Sequence, residues 1–363
     1  YKRQDETLWD ENSFVQVRYK KQFSPRWSMQ VQAKYNHGWN KYEDEGNEYA
    51  DGLYRAVHRQ DEYYLSATAL YRPWNALSLS LAQDGAINKL RSNLPDCPFP
   101  TRYTSLTAFN ARYRQGMVTA TGSLIYTNIT ERVKVGDAPA DFQRLAPSFT
   151  VSLQPWQEQL FFLRLMYKST FRTPTFNDLY YYRLGNRSLR PEKANEYNIG
   201  ITWSKPFVSF LNYFSVTIDG YYNDVTDKIV AFPTTYAWKM ANYGKVRATG
   251  IDATLAAATS LSKNITLVIS GGYTFQKAID LTDPTSKSYK DQLPYTPEHS
   301  GNVSAILEMP WVNVGYSIVG VSERYSMSQN IPENRIDGYM EHTVNLSKDF
   351  SFCLLYTSPS PRD

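Results

Sequence analysis

Cysteine is nearly absent: Cys97 and Cys353 are the two among 363 residues. A zinc centre built on clustered thiolates is thereby excluded. Histidine is scarce too, with His37, His58, His299 and His342 far apart in the chain, and no G-x-S-x-G, H-E-x-x-H or phosphate-loop motif occurs. The sequence therefore carries none of the familiar hydrolase, zinc-protease or nucleotide signatures, and the expectation is a non-enzyme with no cofactor. No stretch approaches the ~18 consecutive apolar residues of a transmembrane helix. Charge of one sign is also lacking. The 39 Lys and Arg against 35 Asp and Glu leave +4, too balanced for an electrostatic nucleic-acid binder.

Part of that count belongs to the chain ends. YKRQ (1–4) back-translates to TAT AAG AGA CAG, whose reverse complement overlaps a back-translation of CLLY at the start of CLLYTSPSPRD (353–363). Inverted copies of one oligonucleotide at opposite ends look like the transposase adapter of a sequencing library. The expectation is that 1–4 and 353–363 are non-native, leaving 5–352 as an internal stretch of a longer protein. Without them the net charge is +2 and Cys97 alone remains, so no intrachain disulfide forms.

Aromatic residues, by contrast, are abundant at 15%, with 29 Tyr against 18 Gly. Such a content is usual where rings gather at two membrane interfaces. The residues alternate in character. In WSMQVQAKYN (27–36), Met29, Val31, Ala33 and Tyr35 alternate with Gln30, Gln32, Lys34 and Asn36. In LFFLRLMYK (160–168), Phe161, Leu163, Leu165 and Tyr167 form one face and Arg164 and Lys168 belong to the other. NITLVISGGYTF (264–275) repeats the pattern, and period two means strands.

Turn spacing separates a soluble sandwich from a membrane barrel. Connections are expected to alternate strictly, short at 24–26, 73–76, 115–117, 154–159, 260–263 and 309–311 and long near 41–60, 85–102, 172–193 and 280–297. Short turns at one end and long loops at the other are the layout of an outer-membrane barrel, here with about fifteen strands. Trp27, Trp74, Trp156 and Trp311 all fall at short turns, where an aromatic girdle belongs. The polar face, with Gln16, Arg18, Gln30, Gln32, Lys34, Arg164 and Lys168, suits a lumen filled by water or a polar plug. The acidic run YEDEGNEYADG (42–52) offers Glu43, Asp44, Glu45 and Asp51 as weak calcium ligands. It lacks EF-hand spacing, and a solvated charged loop is the plainer reading; no other metal site is expected.

STFRTPTFNDLYYYRLGNRSLRPEKANEYNIG (169–200) resembles the TonB-dependent outer-membrane receptors. Matching positions are Phe171, Arg172, Pro174, Asp178, Leu179, Tyr180, Gly185, Asn186, Leu189, Pro191, Glu192, Glu196 and Gly200. NYGKVRATGIDATL (242–255) is similar to a following stretch of that family, with Asp252 where glutamate is usual. The resemblance implies an all-β fold: a transmembrane antiparallel β-barrel, incomplete here at about 15 of an expected ~22 strands, with the plug domain missing. It implies active uptake of a scarce, large ligand of the siderophore, haem or cobalamin class. The partners implied are outer-membrane lipid, a small-molecule ligand such as a metal chelate, a surface lipoprotein, and the TonB–ExbB–ExbD complex acting through the missing plug. The alternatives are a passive porin or fatty-acid channel and, for an enzyme, an outer-membrane phospholipase, whose Ser/His pair cannot be assembled.

The motif reads first as architecture. Pro174 ends a strand, Gly185 and Asn186 make a turn in which positive φ is cheap, and 190–192 restarts the chain. Tyr180, Tyr181, Tyr182 and Arg183 are the ligand candidates, since rings and a guanidinium grip a large amphipathic ligand.

Overall fold

The computed structural model describes residues 6–45, 54–94, 97–156, 160–181, 184–206, 211–233 and 238–348. The two ends singled out above, Asp51, Tyr182 and Arg183 lie outside the described residues.

The strands are β1 (Glu6–Gln22), β2 (Trp27–Asp44), β3 (Tyr54–Trp74), β4 (Leu77–Ser92), β5 (Thr101–Gln115), β6 (Val118–Arg132), β7 (Phe142–Leu153) and β8 (Leu160–Arg172). A short helix, α1 (Phe176–Tyr180), follows. Then come β9 (Glu192–Pro206), β10 (Leu211–Pro233), β11 (Trp238–Ser262), β12 (Ile265–Asp280), β13 (His299–Glu308), β14 (Asn313–Val321), β15 (Arg324–Tyr325), β16 (Arg335–Ile336) and β17 (Tyr339–Ser347). Neighbours in sequence pair antiparallel from β1 to β14, and β17 adds to β14, making one 15-stranded sheet. β15 and β16 form a separate ribbon. β1 and β17 do not pair with each other, so the barrel is not closed among the described residues.

Register carries the alternation across the whole wall. Phe161, Leu163, Leu165 and Tyr167 of β8 stand opposite Trp203, Ile201, Ile199 and Tyr197 of β9, an unbroken apolar row. Between them, Arg164 and Lys168 stand opposite Gly200 and Glu196. The polar face is internally hydrogen-bonded: Arg18 Nε donates to Gln32 at 3.2 Å, Ser66 Oγ to Asp84 at 2.6 Å and Thr274 Oγ1 to Asp252 at 2.7 Å. Arg164 reaches across Gly200 to Asp219 at 3.1 Å, and a Cβ at Gly200 would strike that carboxylate.

Two aromatic belts bound the apolar face. Trp27, Trp74, Trp156 and Trp311 are exposed at the short-turn end, with Trp27 stacked on Tyr71 at 4.5 Å between centroids. Tyr35 and Tyr63 meet at 5.1 Å in the upper belt, as do Tyr167 and Tyr197. On β5 the belts are marked by Tyr113 and Tyr103. Ten residues at about 3.3 Å each, tilted about 40°, cover roughly 25 Å, the height of a membrane's apolar band.

The long-loop end differs from expectation in three places. β4 runs to Ser92, through the region expected as a loop from Gly85, because Ile87 and Lys89 keep pairing with Tyr103 and Thr101. Glu43 and Asp44 belong to β2 rather than to a loop, paired with Arg55 and Tyr54. β10 and β11, of 23 and 25 residues, continue as one hairpin and leave only 234–237 between them, so long and short connections do not alternate strictly.

Candidate ligand-binding site

The connection after β8 does not stand out in solvent. It folds back onto the polar face near the long-loop end. Thr175 caps α1 by accepting from the Asp178 amide at 3.1 Å, and the Asp178 carboxylate accepts from the Thr175 amide at 2.9 Å. This reciprocal cap makes five residues helical where length alone would not. Arg172 fastens the helix to the strand it leaves: its guanidinium lies 3.2 Å from Asp178 and 3.5 Å from Glu192 and donates to the Ile229 carbonyl at 3.2 Å. Glu192 in turn accepts from the Ile229 amide at 3.0 Å.

Leu179 and Leu189 are buried with Ile229, and Tyr180 and Met240 pack against them. Asn186 bridges three segments: its amide N–H donates to Asp178 O at 2.8 Å, its Nδ2 to Met240 O at 3.0 Å, and its Oδ1 accepts from the Ser188 amide at 3.0 Å. Phe171 packs against Phe142 with ring centroids 5.0 Å apart, and Pro174 is buried. Pro191 and Pro174 line a small inner cleft with Leu189. Gly185 is a correction. Neither it nor Asn186 has positive φ; instead a Cβ at Gly185 would sit 2.7 Å from the Leu179 carbonyl oxygen and the Tyr181 amide nitrogen. Space, not backbone freedom, demands glycine there.

The tyrosines of the motif divide. The Tyr180 hydroxyl donates to Glu131, which also binds Arg102 at 2.7 Å. Burial, together with that carboxylate, pushes the Tyr180 phenol well above the ordinary tyrosine value. Arg102 lies over the Phe176 ring at 4.9 Å, so the helix is riveted to β5 and β6. Tyr181 is different: it is exposed and lines a cavity of about 640 Å³ with Glu6, Leu8, Tyr42, Tyr54, His58 and Tyr180. One helix thus meets β1 to β3 on one side and β10 to β11 on the other. The sheet must curl around it.

A second cavity of about 640 Å³ opens between the β12–β13 connection and the β14–β17 connection, with Lys228, Leu293, Tyr295, Met327 and Ile331 in its walls. Leu293 is buried in the wall cluster of Val225, Val246 and Ala278, and Gln292 holds it there through the Ala278 amide at 2.9 Å and the Gln276 carbonyl at 3.2 Å. Both large connections therefore lie across the mouth rather than outside it. The motif gave no signal for Glu131, Arg102, Gln292 or Tyr295; they lie 40 or more residues away in sequence or in a different loop and meet α1 or the mouth only through the curl. Asn242, within the second matching stretch, ties the two halves by donating to Arg190 O at 3.0 Å and Asp227 O at 2.7 Å.

Of the calcium candidates, Glu43 is taken up by Lys41 and Arg55. Among the described residues no group of three or more His, Cys, Asp or Glu is placed to hold a metal ion.

A wide antiparallel wall, apolar outside and polar inside, with connections folded into one mouth, defines a barrel of the outer-membrane transport type. The chain belongs to the TonB-dependent receptor family: the sequence model described as "TonB dependent receptor-like, beta-barrel" matches residues 1–354. A curated relative, the vitamin B12 transporter BtuB of Vibrio vulnificus (strain YJ016), is 36% identical over 84 residues, which is 23% of this chain and 13% of that protein. The solved copper transporter OprC superposes with a TM-score of 0.70 at 14% identity, covering 92% of this chain and 56% of that one. The siderophore receptor PiuA of Acinetobacter baumannii gives 0.66 at 13% identity, over 93% of this chain and 58% of its own. These likenesses show the fold, and the chain spans little more than half the length of those structures. The family and these neighbours are transporters and receptors, not enzymes.

Proposed function

We propose that the chain is part of the barrel of an outer-membrane receptor that takes up a scarce, large ligand of the siderophore, haem or cobalamin class, driven by TonB. The observation that carries this reading is the locked connection after β8. Arg172, Asp178, Asn186 and Glu192 spend their polar groups on rigidity, which leaves Tyr181 presented to the inner cavity at little entropic cost. Ligand would enter between Tyr181 on one side and Tyr295 with Met327 on the other, where rings and a thioether grip an amphipathic chelate. The similarity to the vitamin B12 transporter supports the cobalamin end of the class, and PiuA the siderophore end. A barrel of this family is completed by further strands and a plug, through which the TonB–ExbB–ExbD complex acts. The outer membrane is the location that follows, and a surface lipoprotein is a further candidate partner at the mouth. Residues 1–4 and 353–363 are read as non-native on the back-translation argument alone.

Uptake of labelled siderophores, haem and cobalamin by cells carrying the complete receptor tests this. Uptake should vanish when the proton gradient is collapsed or TonB is removed, and should weaken in Tyr181→Ala. Energy-independent passage of small solutes would instead establish the passive pore.

A further inference from the structure

The two cavities at the mouth offer little positive charge to a ligand. The one beside Tyr181 is lined by Asn40, Gln60 and Asn177 and by tyrosines, and its carboxylates are Glu6 and Asp10. Both lie exposed on the polar face of β1, Glu6 opposite Asp44 and Asp10 opposite Asn40. His58, on β3 beyond the upper tyrosine belt, adds no cation, because burial holds its imidazole below the usual histidine value. In the cavity beside Tyr295, Lys228 is the one cation among the lining residues, and it faces the Glu192 carboxylate at 4.0 Å.

Other cations near the mouth are spent on the chain itself. Arg172 is shared between Asp178 and Glu192, Arg102 binds Glu131 and Arg190 binds Asp227. Lys41 and Arg55 are on the opposite face of β2 and β3, both taken by Glu43. Arg187 and Arg324 lie over the Tyr180 and Tyr339 rings, outside both linings. A multiply anionic ligand entering either cavity would leave water with no uncommitted cation to receive it, and would approach Glu6 and Asp10; burying a charge without a partner is unfavourable. An uncharged ligand exchanges hydrogen bonds with water for those of amides and phenols at little net cost.

We propose that the mouth selects its ligand by charge, taking an uncharged or cationic chelate such as a ferric tris-hydroxamate or a corrinoid and rejecting multiply anionic ones, ferric tris-catecholates and haem with its propionates among them. Glu6 and Asp10 are the residues that set this preference, by repelling the anion rather than by gripping the accepted ligand. The inference rests on the reading of the chain as a receptor for large chelates and narrows it.

The test is competition binding to the complete receptor in outer-membrane vesicles, with a trianionic ferric tris-catecholate, a neutral ferric tris-hydroxamate and cyanocobalamin as probes. The wild type is expected to bind one of the neutral probes at least about tenfold more tightly than the tris-catecholate. In the double variant E6Q/D10N the ratio of tris-catecholate to neutral affinity should rise about tenfold, and in the wild type it should rise with salt, which screens the carboxylates. Heat-modifiable gel migration checks that each protein is inserted and folded. A tris-catecholate bound by the wild type as tightly as the neutral probes, or a ratio unmoved in folded E6Q/D10N, overturns charge selection while leaving a chelate receptor standing. Binding of none of the three probes by the folded wild type overturns the receptor reading itself, and the inference with it.

Discussion

The Arg172 guanidinium lies 3.2 Å from the Asp178 carboxylate, joining the last residue of β8 to the middle of the helix that follows. Because Arg172 also meets Glu192 and the Ile229 carbonyl, one side chain ties the start, the interior and the far wall of the connection. Arg172→Ala should therefore cost about 1–2 kcal/mol locally, less than a fully buried network because the guanidinium is half exposed. Hydrogen exchange should show faster opening of 173–191 while β8 and β9 keep their protection. Unchanged exchange in that connection would show that the apolar contacts of Leu179 and Leu189 suffice.

Tyr180→Phe removes the donor to Glu131 while keeping the ring. The folded-state phenol titrates above its unfolded value, so its contribution is present below about pH 10 and is lost as pH rises further. Docking of α1, followed by protease accessibility, should be constant from neutral pH to about pH 10 and loosen above it. In Tyr180→Phe that alkaline loosening should disappear, with docking weaker by about 1 kcal/mol at neutral pH.

Gly185→Ala places a methyl group against backbone on two sides, which flexible side chains cannot relieve. A cost of about 1–3 kcal/mol is expected, with lowered ligand affinity. Gly122→Ala, where an added Cβ meets nothing within 4 Å, is the matched control and should be neutral or slightly stabilising. Denaturant midpoints of the two variants check both.

Leu165 is exposed and stands between Val151 and Ile199 on the apolar face. Lysine there should cost about 2–4 kcal/mol if the position lies at the bilayer midplane, measured by folding into lipid vesicles. Lysine in place of Met166, one residue on and therefore facing the polar side, should cost far less. Equal penalties would invert the assignment of faces.

The faces of the wall were legible in the sequence because side chains of a strand alternate whatever its neighbours do. Met29 to Tyr35 and Phe161 to Tyr167 needed no knowledge of pairing, and the tryptophans marked the short-turn end by their place next to short turns. The motif residues could likewise be found by pattern, and Pro174 by the backbone it forbids. What they touch could not be read. Glu131 and Ile229 reach α1 because the sheet curls, and curl is the sum of small twists over many paired strands, a property no local window contains. The same holds for loop lengths: β4 and the β10–β11 hairpin continue past the membrane because partners are there to satisfy their backbone groups, and those partners lie on other strands. Gly185 shows the division within one residue. Sequence marked it as a turn; only the approach of the Leu179 carbonyl and the Tyr181 amide reveals that the turn needs a missing side chain rather than a left-handed backbone.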